Sequence, residues 1–171
     1  MNPDNNTKPG VADVSVSRAR EAKLEAALAS LPRVPLVSVK PTPLEPLPRL
    51  SKLLGGPPLY VKRDDLTGLA FGGNKTRMLE FSLAHAVDQG AEVIVTGAAV
   101  QSNYCRQISA ACARLGLELH LILRPVRPID REEVQGNHLL MRMFGAKVTV
   151  LENPNVQKQE IAARIDEPRS Q

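Results

Sequence analysis

Aromatic side chains are scarce in this chain of 171 residues. It has no Trp, and Phe and Tyr together make up 3% of the sequence, so stacking platforms for nucleic-acid bases are hard to build. The formal net charge of +4 comes from Lys and Arg that are interleaved with acidic residues along the chain, which is typical of a solvated surface. We therefore expect no nucleic-acid partner.

Long apolar runs and an apolar leader are also missing. No run approaches the length needed to span a membrane, and the first ten residues are polar. Cys105 and Cys112 are seven residues apart in a predicted helix, too far along its axis for a disulfide and without nearby metal ligands. We interpret them as free thiols in a reducing compartment and the three histidines as structural. We expect a cytoplasmic protein without a membrane contact or a metal site.

The chain does have an alternation of strand and helix patterns, with 43% hydrophobic content for a core. A polar lead over residues 1–16 precedes a predicted helix, and a proline-rich segment follows that helix. Helices are predicted over 18–31, 47–54, 74–89, 102–115 and 132–144, with a last one ending near 165, and strands over 59–62, 92–96, 117–123 and 147–151. The order predicts an α/β fold, a parallel sheet with helices on both faces.

The most distinctive stretch covers residues 62–81 and contains one lysine at a glycine turn. Gly72 and Gly73 turn the chain, and a helix begins directly after them with Lys75 in its first turn. The unpaired N–H groups and the positive dipole end of such a helix suit an anion. Lys75 is therefore a phosphate partner, a nucleophile toward carbonyl groups, or a solvated lysine.

One familiar phosphate loop does not match. Residues 68–76 are G-x-x-x-x-G-N-K-T, which is one residue longer than G-x-x-x-x-G-K-[ST]. The inserted Asn74 moves Lys75 out of register, so binding of a nucleoside triphosphate is the weakest alternative.

A second motif, Gln101-Ser102-Asn103, lies where a predicted strand gives way to a helix. In α/β folds this end of the sheet is the usual ligand crevice. Ser102 is then either a ligand contact or simply a helix N-cap, a position that Ser favours.

Together the two motifs resemble the pyridoxal-phosphate enzymes grouped as 1-aminocyclopropane-1-carboxylate deaminase and D-cysteine desulfhydrase, over residues 34 to 165. The resemblance implies fold type II, the fold of the tryptophan synthase beta subunit, with pyridoxal 5′-phosphate as cofactor. It implies that Lys75 holds the cofactor covalently and acts as a base, that Asn74 fixes the loop, and that Asn103 binds the phenolic oxygen of the cofactor. Ser102 would contact the substrate carboxylate and act in catalysis, with Gln101 and Tyr104 beside it.

The reaction implied by the resemblance is a lyase or deaminase reaction on a small amino acid, in a homodimer. Two departures put the substrate in question: Met78 lies where relatives commonly have a lysine that reaches the phosphate, and Tyr104 lies where His or Gln is frequent. Relatives are longer, and their glycine-rich phosphate loop lies beyond the part that this chain resembles. The chain therefore resembles a front half, and a non-catalytic fragment that pairs with a partner chain is the alternative.

The resemblance also suggests a division of the chain. Residues 1–33 would be an extension with a short helix, and residues 34–72 would belong to the larger domain of relatives. Residues 73–165 would form the small α/β domain, and residues 166–171 a tail.

Overall fold

A computed structural model describes residues 14–129 and 133–167. The chain divides into two compact units, residues 1–32 and residues 33–171. In the first unit, helix α1 spans Val14–Ala29. The helix thus begins earlier than predicted and includes the end of the expected polar lead, of which residues 1–13 lie outside the described residues.

The second unit begins with a two-stranded antiparallel ribbon. Strand β1 (Leu44–Pro46) pairs with strand β2 (Tyr60–Lys62), and helix α2 (Pro48–Leu54) lies between them in the chain. The sequence predicted β2 but not β1, because prolines hide the strand pattern. Pro46 is tolerated at the end of a short edge strand, where its missing N–H breaks no ladder.

A separate sheet of three parallel strands follows, so β2 does not continue into it as the alternation had suggested. The strand order is β3-β4-β5, and the α/β fold class with a parallel sheet that the sequence predicted is confirmed. None of the helices in the described residues is long and apolar enough to cross a membrane. The elements in chain order are α3 (Lys75–Asp88), β3 (Val93–Thr96), α4 (Asn103–Leu115), β4 (Glu118–Leu123), α5 (Gly136–Met143), β5 (Lys147–Val150) and α6 (Gln157–Asp166).

Helices cover both faces of the parallel sheet. Leu119, Leu121 and Leu123 of β4 are buried in one core with residues of α3, α4 and α5. The side chain of Ile122 lies on the opposite face of the sheet. The side-chain nitrogen of Gln157 in α6 donates a hydrogen bond to the Ile122 carbonyl oxygen at 2.6 Å. Gly97 makes this approach possible, because a Cβ there would lie 2.0 Å from the same carbonyl oxygen.

Helix α5 begins later than the predicted start at residue 132, which lies outside the described residues. Gln135 is extended, with φ −136° and ψ 169°, and Gly136 has φ +58°. A Cβ on Gly136 would lie 2.8 Å from Gln101 Oε1. The helix therefore starts where the chain turns around the side chain of Gln101.

Both cysteines are buried in the core, and no disulfide joins them. Burial raises the pKa of Cys105 to about 11 and that of Cys112 to about 12. Because the thiolate is the reactive form, we expect the native chain at pH 8 to react with a chromogenic disulfide reagent at least about 100-fold more slowly than the urea-unfolded chain. Equal rates for the native and unfolded chains would show that the α4 core opens readily.

Candidate active site

The turn before α3 can be built only with glycines. Gly72 has φ 72° and ψ −178°, and a Cβ there would lie 1.8 Å from the carbonyl oxygen of Asp65. Gly73 has φ 131°, and its Cβ would lie 2.4 Å from Gln107 Nε2. The Gly73 amide donates to Asp64 O at 2.8 Å and to Thr67 Oγ1 at 2.9 Å. The turn is therefore held between the 64–67 segment and helix α4.

Helix α4 caps the start of α3 with a side chain. Gln107 Oε1 accepts hydrogen bonds from the Thr76 amide at 2.8 Å and from Thr76 Oγ1 at 2.7 Å. Both residues are buried, so this contact is shielded from water. It satisfies one of the amides that the helix itself leaves unpaired and fixes the first turn of α3 against α4.

Lys75 occupies the first position of α3 and is half-buried. Within the part of the chain that the structure describes, its amine makes neither a hydrogen bond nor an ion pair. Asn74 is the exposed residue before it, and its side chain does not cap the helix. The amine of Lys75, which has no carboxylate partner among the described residues, thus lies at the positive end of the α3 dipole.

Ser102 is the N-cap of α4, as the simpler interpretation of the sequence held. Its Oγ accepts from the Cys105 amide at 3.3 Å. This bond uses an oxygen lone pair and leaves the hydroxyl hydrogen for another acceptor. Capping and a ligand contact are therefore compatible for this serine.

Asn103, directly after the cap, belongs to a cluster with Arg106 and Asn137. Arg106 Nη1 donates to Asn103 Oδ1 at 2.9 Å and to Asn137 Oδ1 at 3.0 Å, and Arg106 Nη2 donates to Gly72 O at 3.1 Å. Asn137 Nδ2 also donates to Asn103 Oδ1, at 3.0 Å. The cluster thus joins the glycine turn, the start of α4 and the start of α5.

The side chain of Gln101 is committed to this same junction. Its Oε1 accepts a hydrogen bond from the backbone amide of Asn137 at 2.8 Å, and its Nε2 donates one to the carbonyl oxygen of Gln135 at 3.1 Å. Each bond uses one of the two lone pairs of Oε1 or one of the two hydrogens of Nε2, so the Gln101 side chain keeps capacity for a further hydrogen bond.

Tyr104 reaches the carboxyl end of β3, where its hydroxyl lies 3.4 Å from Thr96 Oγ1. Burial raises the pKa of Tyr104 above its usual range, so the neutral phenol is the form present near neutral pH. Tyr104 can therefore donate a hydrogen bond beside the site but does not supply a negative charge.

The sequence placed Lys75, Ser102 and Asn103 near one another, and the structure brings their segments together through side chains that the sequence analysis gave no role. Arg106 and Gln107 lie three and four residues after the Gln101-Ser102-Asn103 motif, and this proximity was the available signal. Asn137 had none, because its contacts with Gln101 and Asn103 connect residues more than thirty positions apart.

Two other features do not add to the site. A cavity of about 690 Å³ lies between the 99–101 loop and α5, and its lining includes Gln101 but not Lys75 or Ser102. In the described residues, no three His, Cys, Asp or Glu side chains are grouped so that they could hold a metal ion.

Comparison with known proteins identifies a family for the chain. The family model described as "Pyridoxal-phosphate dependent enzyme" matches residues 36–170. A D-cysteine desulfhydrase of Serratia proteamaculans is 45% identical over 150 residues, which cover 84% of this chain and 44% of the relative. A D-cysteine desulfhydrase of Salmonella paratyphi B is 42% identical over 146 residues, 81% of this chain and 43% of the relative.

A solved structure of an ACC deaminase homologue superposes with a TM-score of 0.72 at 40% identity, covering 84% of this chain and 43% of that one. The chain thus spans less than half the length of these relatives. The match to the family model nevertheless includes the glycine turn, Lys75 and the start of α4. The chain belongs to the family of pyridoxal-phosphate dependent enzymes.

Proposed function

We propose that this chain is the lysine-bearing part of a pyridoxal-phosphate-dependent lyase or deaminase that acts on a small amino acid, similar to D-cysteine desulfhydrase. The observation that carries the proposal is the Lys75 amine, which lies at the start of α3 without a partner among the described residues. The contacts Gln107–Thr76 and Arg106–Gly72 hold that turn against the start of α4.

The residues present fit the cofactor of this family. Pyridoxal phosphate requires an amine for its aldehyde and a donor for its ring oxygen. Lys75 offers the amine. The Oδ1 of Asn103 is bound by two donors, which leaves its Nδ2 hydrogens for such an oxygen. When bound, the cofactor supplies an electron sink for negative charge that develops at the substrate carbon.

In this proposal Lys75 has two tasks and the other residues have one each. Lys75 Nζ would hold the cofactor and, with the substrate bound, would take the proton from the substrate carbon. Ser102 Oγ–H donates to the substrate carboxylate, while its lone pair keeps the cap to Cys105. Tyr104 and Gln101 border the same place, and Asn74 shapes the loop before the lysine.

Several finer points are part of the same proposal, and the first of them, the substrate, is supported by likeness to the relatives. These are D-cysteine or a related small amino acid as substrate, a homodimer and a cytoplasmic location. They also include the division of the body at residue 73, with residues 34–72 belonging to a larger domain.

A second candidate is a non-catalytic fragment that pairs with a partner chain. In that case the chain would contribute the lysine turn only when the partner completes the site.

The first experiment measures the intact mass of the chain after incubation with pyridoxal phosphate and reduction with borohydride. We expect one cofactor per chain, because the Lys75 amine has no competing partner among the described residues. Lys75→Ala should lose this adduct completely.

The matched control for this experiment is Lys52→Ala, which removes an exposed lysine of α2 in the same unit. It should keep the full adduct, and an equal loss in both variants would indicate non-specific labelling. An adduct that forms only after a partner chain is added would favour the fragment, and none under either condition would contradict both candidates.

A further inference from the structure

The cluster around Arg106 fixes which way the Asn103 amide faces. The two ends of an asparagine amide are similar in shape, so the hydrogen-bond network decides between the two orientations. Arginine has donors only, and Arg106 Nη1 lies 2.9 Å from one atom of the Asn103 amide. That atom is therefore the oxygen, and the NH₂ group of Asn103 is on the other side.

The same argument orients Asn137. Arg106 donates to its Oδ1 at 3.0 Å, so its Nδ2 faces Asn103 Oδ1 at 3.0 Å and Gln101 O at 2.8 Å. Asn103 Oδ1 thus accepts from two directions. Rotating the Asn103 amide by half a turn would break both bonds and place its NH₂ group against the donors of Arg106 and Asn137.

We propose that Arg106 and Asn137 are positioning residues that lock the Asn103 amide with its NH₂ group outward, so that it offers a donor to the anionic ring oxygen of pyridoxal phosphate. This rests on the proposed function. Without the lock, the rotated amide would present an oxygen to that anion, and attraction would become repulsion.

Arg106 also couples the lock to the lysine turn. Its Nη2 donates to Gly72 O at 3.1 Å, so one guanidinium holds both the amide of Asn103 and the turn that precedes Lys75. Its buried Nε has no partner among the described residues. The guanidinium is therefore oriented by its bonds to Asn103, Asn137 and Gly72.

The test is Asn137→Asp, which keeps the size of the side chain but removes its hydrogens. The carboxylate at position 137 can still accept a hydrogen bond from Arg106. It can accept one from the side-chain NH₂ group of Asn103 only if the side-chain amide of Asn103 rotates by half a turn. We expect about a tenfold loss of affinity for pyridoxal phosphate in equilibrium dialysis, because a hydrogen bond to a charged oxygen is replaced by repulsion.

NMR of the chain without cofactor measures the orientation of the Asn103 side-chain amide directly. In the unmodified chain, the Asn103 NH₂ signal should exchange quickly with water, and Asn103→Asp identifies it by removing it. In Asn137→Asp the signal should move to lower field and exchange more slowly, because one hydrogen is now bound to the new carboxylate. The melting temperature separates this local rotation from a general loss of structure.

Asn155→Asp is the matched control, since it makes the same exchange at an exposed position in the turn after β5. It should change neither the affinity nor the Asn103 signal. An Asn103 signal that is the same in Asn137→Asp as in the unmodified chain would overturn the lock. A rotated amide with unchanged affinity would overturn its role in binding. If the unmodified chain binds no pyridoxal phosphate, the proposed function fails for this chain, while the NMR signal still decides whether the lock exists.

Discussion

Replacing Glu80 by alanine is expected to lower the free energy of unfolding by about 3–5 kcal/mol, the usual cost of removing one partner from a buried charge cluster. Glu80 lies on α3 with no exposed surface. Its Oε1 accepts from the Leu36 and Val37 amides at 3.0 and 2.9 Å and from Lys40 at 2.9 Å. Arg33 binds Oε2. Urea titration of both proteins measures the difference.

The cost arises from the partners that remain. Without the carboxylate, two backbone amides stay buried with no acceptor, whereas Arg33 and Lys40 are 40% and 41% exposed and can turn to water. Each buried amide left in this way costs about 1–3 kcal/mol. The segment around Leu36 and Val37 should therefore detach from α3 before the parallel sheet unfolds.

Glu118→Ala is the control for the Glu80 variant. Glu118 also has two basic partners, Lys147 and His120, but its side chain is 43% exposed. Water replaces lost surface contacts, so its removal should change the urea midpoint only slightly. Equal losses from both variants would show that burial does not set the cost at Glu80.

The pH dependence of stability follows from the same carboxylate. Burial acts to raise the pKa of Glu80, but the hydrogen bonds from Val37, Lys40, Arg33 and Leu36 outweigh it and hold the pKa below its usual range. The stabilisation that Glu80 contributes is thus fully present above its pKa in the unfolded state, about 4.3. It is lost as the pH falls through the lower pKa that Glu80 has in the folded state. The stability difference between the chain and Glu80→Ala should shrink in that range.

Glu80 also shows where the sequence stops being informative. The helical spacing of Leu79, Leu83 and Val87 predicts the helix and a buried face, because that pattern is local. Leu79 and Leu83 are buried, whereas the prediction for Val87 is wrong, since it is 42% exposed. An acidic residue between Leu79 and Leu83 is typical of a solvated surface, and only contacts with residues more than forty positions earlier in the chain bury it. The strand β1 was missed for a similar reason, since its pairing with β2 is what defines it.

For the site, the sequence predicts which residues a ligand would touch, and these remain part of the proposal. It does not indicate which other residues hold those side chains in place. Lys75, Ser102 and Asn103 stand in short motifs, and their elements were predicted closely. Asn137 was not singled out, because its contacts with Asn103 and Gln101 exist only after α5 has docked. Short motifs therefore predict which residue types are present here, whereas the orientation of each side chain depends on long-range contacts.

Gly72→Ala should cost more than about 3 kcal/mol of unfolding free energy and remove most of the borohydride-reduced cofactor adduct. The Gly72 backbone, at φ 72° and ψ −178°, is in a region open essentially to glycine alone, which by itself costs another residue about 1–3 kcal/mol. The added Cβ would also lie 1.8 Å from Asp65 O, a backbone atom that cannot turn away. The turn must therefore shift, and Lys75 with it.

Gly90→Ala is a control with a positive φ but without the crowding. Gly90 has the same φ of +72°, but nothing lies within 4 Å of a Cβ there. Alanine at this position should cost only the left-handed backbone penalty of about 1 kcal/mol and leave the adduct intact. If the two variants lose the same stability, the crowding at Asp65 is not what fixes the turn. If Gly72→Ala unfolds more easily yet keeps its adduct, Lys75 does not depend on the glycine turn for its position, and the turn serves the fold alone.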